Sequence, residues 1–178
     1  MRNFFIKLNP TIKNKLKNCK LLVMDFDGVM TNNCMFVDSD GRETVLCNRG
    51  DGAGIELLSK HTKVASFILS SETNPVVSAR AVKLKIPCIH GVGFEGKFEV
   101  LKKELKRRKV SPEHVCFVGN DLNDLPCIKH VGLGVAVADS HPKVLENADY
   151  VTNATGGHGA VREICELILF AKNSHPHP

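Results

Sequence analysis

The chain has 178 residues, of which 43% are hydrophobic and 24% are charged, and its formal net charge is +5. These values fit one globular domain with a sizeable core, and no apolar run approaches the roughly 20 residues of a membrane span. The N-terminus also lacks the apolar region and cleavage site of a signal peptide. We therefore predict one cytoplasmic domain over 1–178 with no membrane partner. Its core is expected at about 19–172, followed by a disordered tail at about 173–178.

The alternation of short apolar runs with helical patterns predicts the architecture. Strands are expected at 21–25, 64–69, 86–89, 115–118, 133–138 and 149–152. Helices are expected at 52–60, 75–85, 97–109, 123–130, 142–147 and 159–172, with a single helical turn at 111–114. Strands that alternate with helices favour an α/β fold with a parallel sheet covered on both faces. One segment departs from this order: "NCMFVDSDGRETVLCN", 33–48, predicts a β-hairpin inserted after the first strand.

The basic residues and the cysteines do not indicate further partners. Lysines and arginines form two runs at 13–20 and 102–109, but the chain has no Trp and one Tyr, so base-stacking aromatics are scarce. We expect solvated helix faces and no nucleic-acid partner, with a modest field that attracts anionic substrates. The seven cysteines contain no C-x-x-C pair, which favours structural thiols over a metal site.

Polar side chains follow three of the predicted strands. Asp25 and Asp27 follow the first, "LSSE" at 69–72 ends the second, and "GNDLND" at 119–124 follows the strand at 115–118. Lys97 stands at the start of a helix. Since ligands of open α/β sheets bind beyond the carboxyl ends of the strands, we expect these groups to converge. Taken singly, each has a structural explanation, such as a turn, a helix cap or a surface lysine. Their combination favours a site.

This set of residue types suits phosphoryl transfer. Clustered oxygen ligands fit Mg²⁺, a carboxylate beside the metal can attack phosphorus, and a second carboxylate can protonate the leaving oxygen. A serine hydroxyl and a lysine can bind the phosphoryl oxygens, and the metal and the lysine compensate the clustered acids.

The motifs "DFDGVMT", "LSSE", Lys97 and "GNDLND" resemble the four motifs of the haloacid dehalogenase superfamily. The segments "NRGDGAGIELL", "ETNPVVSARAVKLKIP", "VGLGVAVADSHP" and "GGHGAVREICELIL" narrow the resemblance to the small cap-less branch. That branch contains 3-deoxy-D-manno-octulosonate 8-phosphate phosphatases and related domains for nine-carbon sialic-type acids. One such relative is the C-terminal domain of some CMP-sialate synthetases. The resemblance covers about 19–172 and implies a Rossmann-like sheet without a cap domain.

The resemblance implies a role for each motif residue. Asp25 would be the nucleophile and a metal ligand, and Asp27 the general acid/base with its backbone carbonyl on the metal. Ser70 would bind the phosphoryl group, Lys97 would pair with it, and Asp124 would orient Lys97 or a metal-bound water. A homotetramer is implied, in which the hairpin packs against neighbours and a glycine-rich tail (Gly156, Gly157 and Gly159) can fold over a neighbouring site.

Three departures from the family pattern concern the metal and the substrate. The acid expected after Gly119 is Asn120, so either its amide oxygen or Asp121 is the third ligand. Glu72 replaces an arginine that would bind the carboxylate of the sugar acid. A pair between Glu72 and Lys83 would suit a nine-carbon substrate, whereas a position near a helix N-terminus would make Glu72 structural. In "NRGDG", the family pattern has an arginine directly before Asp51. Here Gly50 takes that position, and Arg49 stands one residue earlier. The predicted substrate-binding residues are Asn48, Arg49, Gly50, Asp51, Gly52, Ser71, Glu72, Arg80 and Lys83.

The sequence thus predicts a Mg²⁺-dependent phosphatase of an eight- or nine-carbon 2-keto-3-deoxy sugar acid phosphate, acting in lipopolysaccharide or sialic acid biosynthesis. The alternative is a catalytically weak oligomerisation module associated with a sialate cytidylyltransferase. A phosphotransferase is disfavoured, because no cap domain is present to exclude water.

Overall fold

A six-stranded parallel sheet forms the centre of the computed structural model, which describes residues 8–176. The strands of the chain are β1 (Leu21–Met24), β2 (Thr31–Val37), β3 (Glu43–Cys47), β4 (Ala65–Leu69), β5 (Cys88–Ile89), β6 (Val115–Gly119), β7 (Leu133–Ala136) and β8 (Tyr150–Val151). The order across the sheet is β5-β4-β1-β6-β7-β8, and β2 and β3 form a separate antiparallel hairpin. The predicted α/β fold and its inserted hairpin are confirmed.

Helices cover both faces of the sheet. They are α1 (Pro10–Asn18), α2 (Arg49–His61), α3 (Val76–Leu84), α4 (Lys97–Arg108), α5 (Leu125–His130), α6 (Pro142–Leu145) and α7 (Ala160–Ala171), with a 3₁₀ turn at Pro112–His114. Because side chains alternate along β1, Leu22 and Met24 pack towards α1, α2 and α7, while Leu21 and Val23 pack towards α4 and α5. Burial on both faces explains why β1 reads as a continuous apolar run. Within residues 8–176, none of these helices has the length and apolarity needed to cross a bilayer.

The register of the central strands determines where the polar loops meet. Leu21–Met24 of β1 lies beside Ala65–Ile68 of β4 on one side and beside Val115–Val118 of β6 on the other. All three strands run parallel and end at the same level. The loops that follow them therefore emerge side by side at one edge of the sheet.

Two segments differ from the predictions. Helix α1 was not predicted, although Asn9-Pro10 repeats the Asn-Pro signal that predicted α3; the Asn9 side chain accepts a hydrogen bond of 2.8 Å from the backbone N–H of Ile12. At the other end, residues 173–175 of the predicted disordered tail contact α7. Ser174 donates a backbone hydrogen bond to Leu169, and the ring of His175 stacks on Phe170 at 4.0 Å. Residues 177–178 of the predicted tail lie outside the described residues.

Candidate active site

A cavity of about 400 Å³ opens at the carboxyl edge of β1, β4 and β6. Its lining combines carboxylates, hydroxyls and amides from the three adjacent loops. The lining residues are Asp25, Asp27, Asn33, Ser70, Ser71, Glu72, Thr73, Asn120, Asp121 and Asn123. The structure thus brings the three predicted polar loops together, as expected from strand direction.

The buried ammonium of Lys97 joins two of these loops. Lys97 is 0% exposed, and its Nζ lies 2.9 Å from Oδ1 of Asp25 and 2.7 Å from Oδ1 of Asp124. Asp25 directly follows β1, where its backbone N–H donates to the carbonyl of Val118 in β6. The prediction that Lys97 lies beside the acidic motifs is therefore met by a direct contact with two of them.

The charges in this cluster do not balance. Burial and the carboxylate of Asp124 raise the pKa of Asp25 well above the usual range, while Lys97 opposes that rise. Burial favours the neutral amine of Lys97, but Asp25 and Asp124 outweigh it and raise the pKa of Lys97. Two buried carboxylates therefore share one ammonium. A divalent cation beside Asp25 would compensate the remaining negative charge.

The turn after Asp25 directs Asp27 into the same cavity. Gly28 has φ 77°, and a Cβ there would lie 2.0 Å from Nδ2 of Asn120, so both the backbone conformation and the space require glycine. Partial burial and the nearby charge of Glu72 raise the pKa of the Asp27 carboxyl. A raised pKa suits a group that must donate a proton near neutral pH.

The amide oxygen of Asn120 is available to a cation. Oδ1 of Asn120 is buried and has no hydrogen-bond partner, while its backbone N–H donates to Oδ2 of Asp124 at 2.9 Å. Asp121 is exposed, and its Oδ1 accepts from the backbone N–H of Leu122. No cluster of three or more His, Cys, Asp or Glu side chains in 8–176 is arranged to bind a metal ion. The oxygen set that fits Mg²⁺ is instead Asp25, Asp27 and the unpartnered oxygen of Asn120.

The loop after β4 contains one buried hydroxyl and one capping carboxylate. Ser70 is 1% exposed, and its Oγ accepts from the backbone N–H of Glu72 at 3.1 Å. Oε1 of Glu72 accepts from the backbone N–H groups of Thr73 at 2.6 Å and Asn74 at 2.8 Å. The bond from Asn74 is the main reason that the pKa of Glu72 is lowered. Glu72 thus lines the cavity and also stabilises the turn that leads into α3.

The predicted pair between Glu72 and Lys83 is wrong for a single chain. Lys83 does not form an ion pair with Glu72; it lines a second cavity of about 690 Å³ between α2 and α3, together with Arg49, Gly52 and Arg80. Lys83 lies near the C-terminal end of α3, while Glu72 precedes its N-terminus. The helix length therefore separates the two charges.

Three other predicted substrate-binding residues have local roles at the start of α2. Oδ1 of Asn48 caps the helix by accepting from the backbone N–H of Gly50 at 2.6 Å. Asp51 is 1% exposed, and its Oδ1 accepts from the backbone N–H of Arg162 at 2.8 Å. Burial raises the pKa of Asp51 to about 6. None of these three residues lines the cavity at Asp25.

Sequence reasoning missed two residues that line the cavity, Asn33 and Thr73. Asn33 has φ 63° at the start of the hairpin, and Nδ2 of Asn123 donates to Oγ of Ser71 at 2.8 Å, which links two of the loops. Asn123 belongs to the "GNDLND" motif, which is expected at this edge from the sequence. Asn33 carries no such signal, because its placement depends on how the hairpin leaves the sheet.

The glycine-rich segment packs against the turn that follows β1. The backbone N–H of Gly157 donates to the carbonyl of Val29 at 3.0 Å, and the reach of this segment over a neighbouring site stays a prediction. A Cβ on Gly156 would lie 1.9 Å from the carbonyl oxygen of Gly28. The segment therefore supports the turn that contains Asp27.

Comparisons with known proteins identify the family of this chain. Residues 95–164 match the model of a family described as haloacid dehalogenase-like hydrolase. The chain is 37% identical to the 3-deoxy-D-manno-octulosonate 8-phosphate phosphatase KdsC of Salmonella typhimurium, over 93% of this chain and 87% of that protein.

Solved structures show the same similarity. The 3-deoxy-D-manno-octulosonate 8-phosphate phosphatase of Yersinia pestis superposes with a TM-score of 0.89 at 35% identity, over 94% of this chain and 89% of that chain. The corresponding phosphatase of Moraxella catarrhalis, in complex with magnesium ion, phosphate ion and a KDO molecule, gives 0.86 at 34% identity, over 91% and 92%. These similarities extend over nearly the whole chain.

Proposed function

The chain belongs to the 3-deoxy-D-manno-octulosonate 8-phosphate phosphatase family of the haloacid dehalogenase-like hydrolases, and from this premise we propose that its substrate is 3-deoxy-D-manno-octulosonate 8-phosphate. The family identifies it as a phosphoric monoester hydrolase. The names of the relatives support the eight-carbon substrate and a place in lipopolysaccharide biosynthesis. The observation that carries the proposal is the buried Lys97, which contacts Asp124 and also Asp25 of the cavity lining.

The proposed reaction uses the two aspartates in turn. Asp25 attacks phosphorus and forms an aspartyl-phosphate while Asp27 gives a proton to the leaving oxygen. Asp27 then removes a proton from the water that hydrolyses this intermediate. Lys97 and the Ser70 hydroxyl bind the phosphoryl oxygens, and Asp124 keeps Lys97 in place.

The cofactor that we propose is Mg²⁺. Its ligands would be Asp25, the backbone carbonyl of Asp27, and Oδ1 of Asn120. A bound Mg²⁺ would neutralise charge on the phosphoryl oxygens. The buried, unpartnered oxygen of Asn120 supports this assignment over Asp121.

The decisive experiment is phosphate release from a panel of eight- and nine-carbon sugar acid phosphates across a Mg²⁺ titration. We expect Mg²⁺-dependent release that is fastest with 3-deoxy-D-manno-octulosonate 8-phosphate and that disappears in Asp25→Ala. Glu146→Ala is the matched control, because Glu146 is an exposed carboxylate outside both the cavity lining and the hairpin. Turnover without a divalent metal, or an active Asp25→Ala protein, would refute the proposal.

We further propose a homotetramer formed through the hairpin. Met35, Phe36, Val37 and Leu46 are exposed on β2 and β3, and Phe36 is 76% exposed. An apolar surface of this kind favours burial against another chain. In a tetramer, the cations between α2 and α3 could reach the substrate of a neighbouring copy, although they do not reach the cavity of their own chain. Light scattering on wild type and Phe36→Ser tests this, and a monomeric wild type would contradict it.

Two alternatives have specific support. The carboxylate of Glu72 in the cavity wall favours a nine-carbon sialic or KDN-type 9-phosphate, whose additional polar groups could donate to it. The exposed hairpin would also serve an oligomerisation module of a sialate cytidylyltransferase. The substrate panel distinguishes the nine-carbon from the eight-carbon substrate. A tetramer without any phosphatase activity would favour the oligomerisation module. We place the protein in the cytoplasm, in keeping with the absence of disulfides among its seven cysteines.

A further inference from the structure

Glu163 is a buried carboxylate outside the catalytic cavity. It is 3% exposed in the first turn of α7. Its Oε1 accepts from the Tyr150 hydroxyl at 2.6 Å and from Nδ2 of Asn153 at 3.0 Å, and its Oε2 accepts from the backbone N–H groups of Asn153 and Ala154 at 3.1 Å. No Lys, Arg or His of 8–176 forms an ion pair with it. Its hydrogen bonds therefore go to one segment, 150–154.

The loop 152–157 is fixed from a second side by Asp139. Oδ1 of Asp139 accepts from the backbone N–H of Gly156 at 2.9 Å. The backbone N–H of Ala138 donates to the carbonyl of Ala154 at 3.3 Å. Two carboxylates from different parts of the chain thus determine the path of this loop.

The loop packs backbone against backbone on the turn at 28–32. Gly157 donates to the carbonyl of Val29 at 3.0 Å. A Cβ on Gly156 would lie 1.9 Å from the carbonyl oxygen of Gly28, and one on Gly157 would lie 2.5 Å from the backbone nitrogen of Asn32. Because no side chain separates the two segments, a displacement of the loop displaces the turn.

The turn at 28–32 fixes the backbone at Asp27. The buried hydroxyl oxygen of Thr31 accepts from the backbone N–H of Gly28, the residue that directly follows Asp27, at 3.1 Å. We propose that Glu163 is a positioning residue for Asp27, acting through the loop 152–157 and the turn at 28–32. This inference rests on the proposed function, in which Asp27 protonates the leaving oxygen.

The test compares two leaving groups, because only one of them needs the proton. The oxygen of a sugar acid phosphate leaves as a poorly stabilised alkoxide unless it is protonated, whereas p-nitrophenolate leaves without protonation. The values to measure are kcat/KM for p-nitrophenyl phosphate and for the sugar acid phosphate that wild type hydrolyses fastest. In Glu163→Gln we expect the value for the sugar acid phosphate to fall by at least about tenfold, and that for p-nitrophenyl phosphate by less than about threefold.

Two further variants make the test decisive. Glu166→Gln is the matched control: it lies one turn along α7 and pairs with Arg162, so we expect both substrates to retain wild-type rates. Asp139→Ala removes the other carboxylate from the loop; since Asp139 is exposed, the variant should fold, and it should show the same leaving-group selectivity. The unfolding temperature of Glu163→Gln shows whether the variant keeps the stability of wild type. If it does not, the leaving-group selectivity of Asp139→Ala decides whether the positioning role holds.

The outcomes distinguish this inference from the proposed function. Equal losses with both substrates, or no loss with either, overturn the positioning role while wild-type activity leaves the proposed function intact. A wild-type chain that hydrolyses neither compound overturns the proposed function and this inference with it.

Discussion

Nζ of Lys97 lies 2.9 Å from Oδ1 of Asp25, although the two residues are 72 positions apart in the chain and both are buried. One follows a central strand, and the other begins the helix α4. The contact converts a costly buried carboxylate into part of a charge cluster that also includes Asp124.

Removal of this ammonium should reduce both stability and activity. Lys97→Met leaves Asp25 and Asp124 close together without a cation, which should lower the free energy of unfolding by about 3 kcal/mol or more. Phosphate release should fall by at least about a hundredfold, since the variant lacks the positive charge that binds the phosphoryl oxygens. The double variant Lys97→Met/Asp124→Asn should recover part of the stability but none of the activity. Denaturant unfolding and phosphate release measure these effects, and a double variant no more stable than the single one would contradict the charge argument.

Asn120 should control how tightly Mg²⁺ is bound. Asn120→Asp adds a formal negative charge at the position of the unpartnered oxygen with almost no change of shape. We expect the Mg²⁺ concentration for half-maximal activity to fall by about tenfold. Asp121→Asn is the matched control and should change it by less than about threefold. If Asp121→Asn weakens Mg²⁺ activation and Asn120→Asp leaves it unchanged, Asp121 is the ligand instead.

Glu72 should influence substrate choice and local stability separately. Glu72→Arg removes the acceptor for the N–H groups of Thr73 and Asn74, which should cost about 1 kcal/mol of unfolding free energy. It also places a guanidinium where it can bind a sugar acid carboxylate, so the ratio of kcat/KM for eight- over nine-carbon phosphates should rise by about tenfold. Glu72→Ala removes the capping carboxylate without adding a guanidinium. It should therefore show the loss of stability without the change in substrate ratio. An unchanged ratio in Glu72→Arg would show that position 72 does not contact the substrate.

Asp51 should make stability depend on pH. Its pKa of about 6 in the folded protein is higher than that of an unfolded aspartate, so the folded state binds the extra proton. The corresponding stability is present below about pH 4 and is lost as the pH rises through about 6. Asp51→Asn removes the charge and should stabilise the protein, by about 1 kcal/mol more at pH 8 than at pH 5. Unfolding curves at both pH values test this, and an equal effect at the two would contradict the raised pKa.

The local pattern of residues was enough to predict the fold and the meeting of the polar loops at one edge of the sheet. Continuous apolar runs require burial on both faces, and strand direction alone places the residues that follow β1, β4 and β6 at one edge. Asp25, Asp27 and Ser70 could therefore be grouped without coordinates, and the family resemblance added Lys97. Helix α1 was within reach of the same reasoning, through Asn9-Pro10.

Only the tertiary structure decided which polar groups are already satisfied and which remain free. Helix α3 separates Glu72 from Lys83, the backbone N–H groups of Thr73 and Asn74 occupy the carboxylate of Glu72, and the buried oxygen of Asn120 has no partner. The link from Glu163 to Asp27 likewise depends on contacts between distant segments. Spacing along the chain predicts which face or edge a residue occupies. Burial, distance and competition for hydrogen bonds arise only when the elements pack together, and these determine what each side chain can still bind.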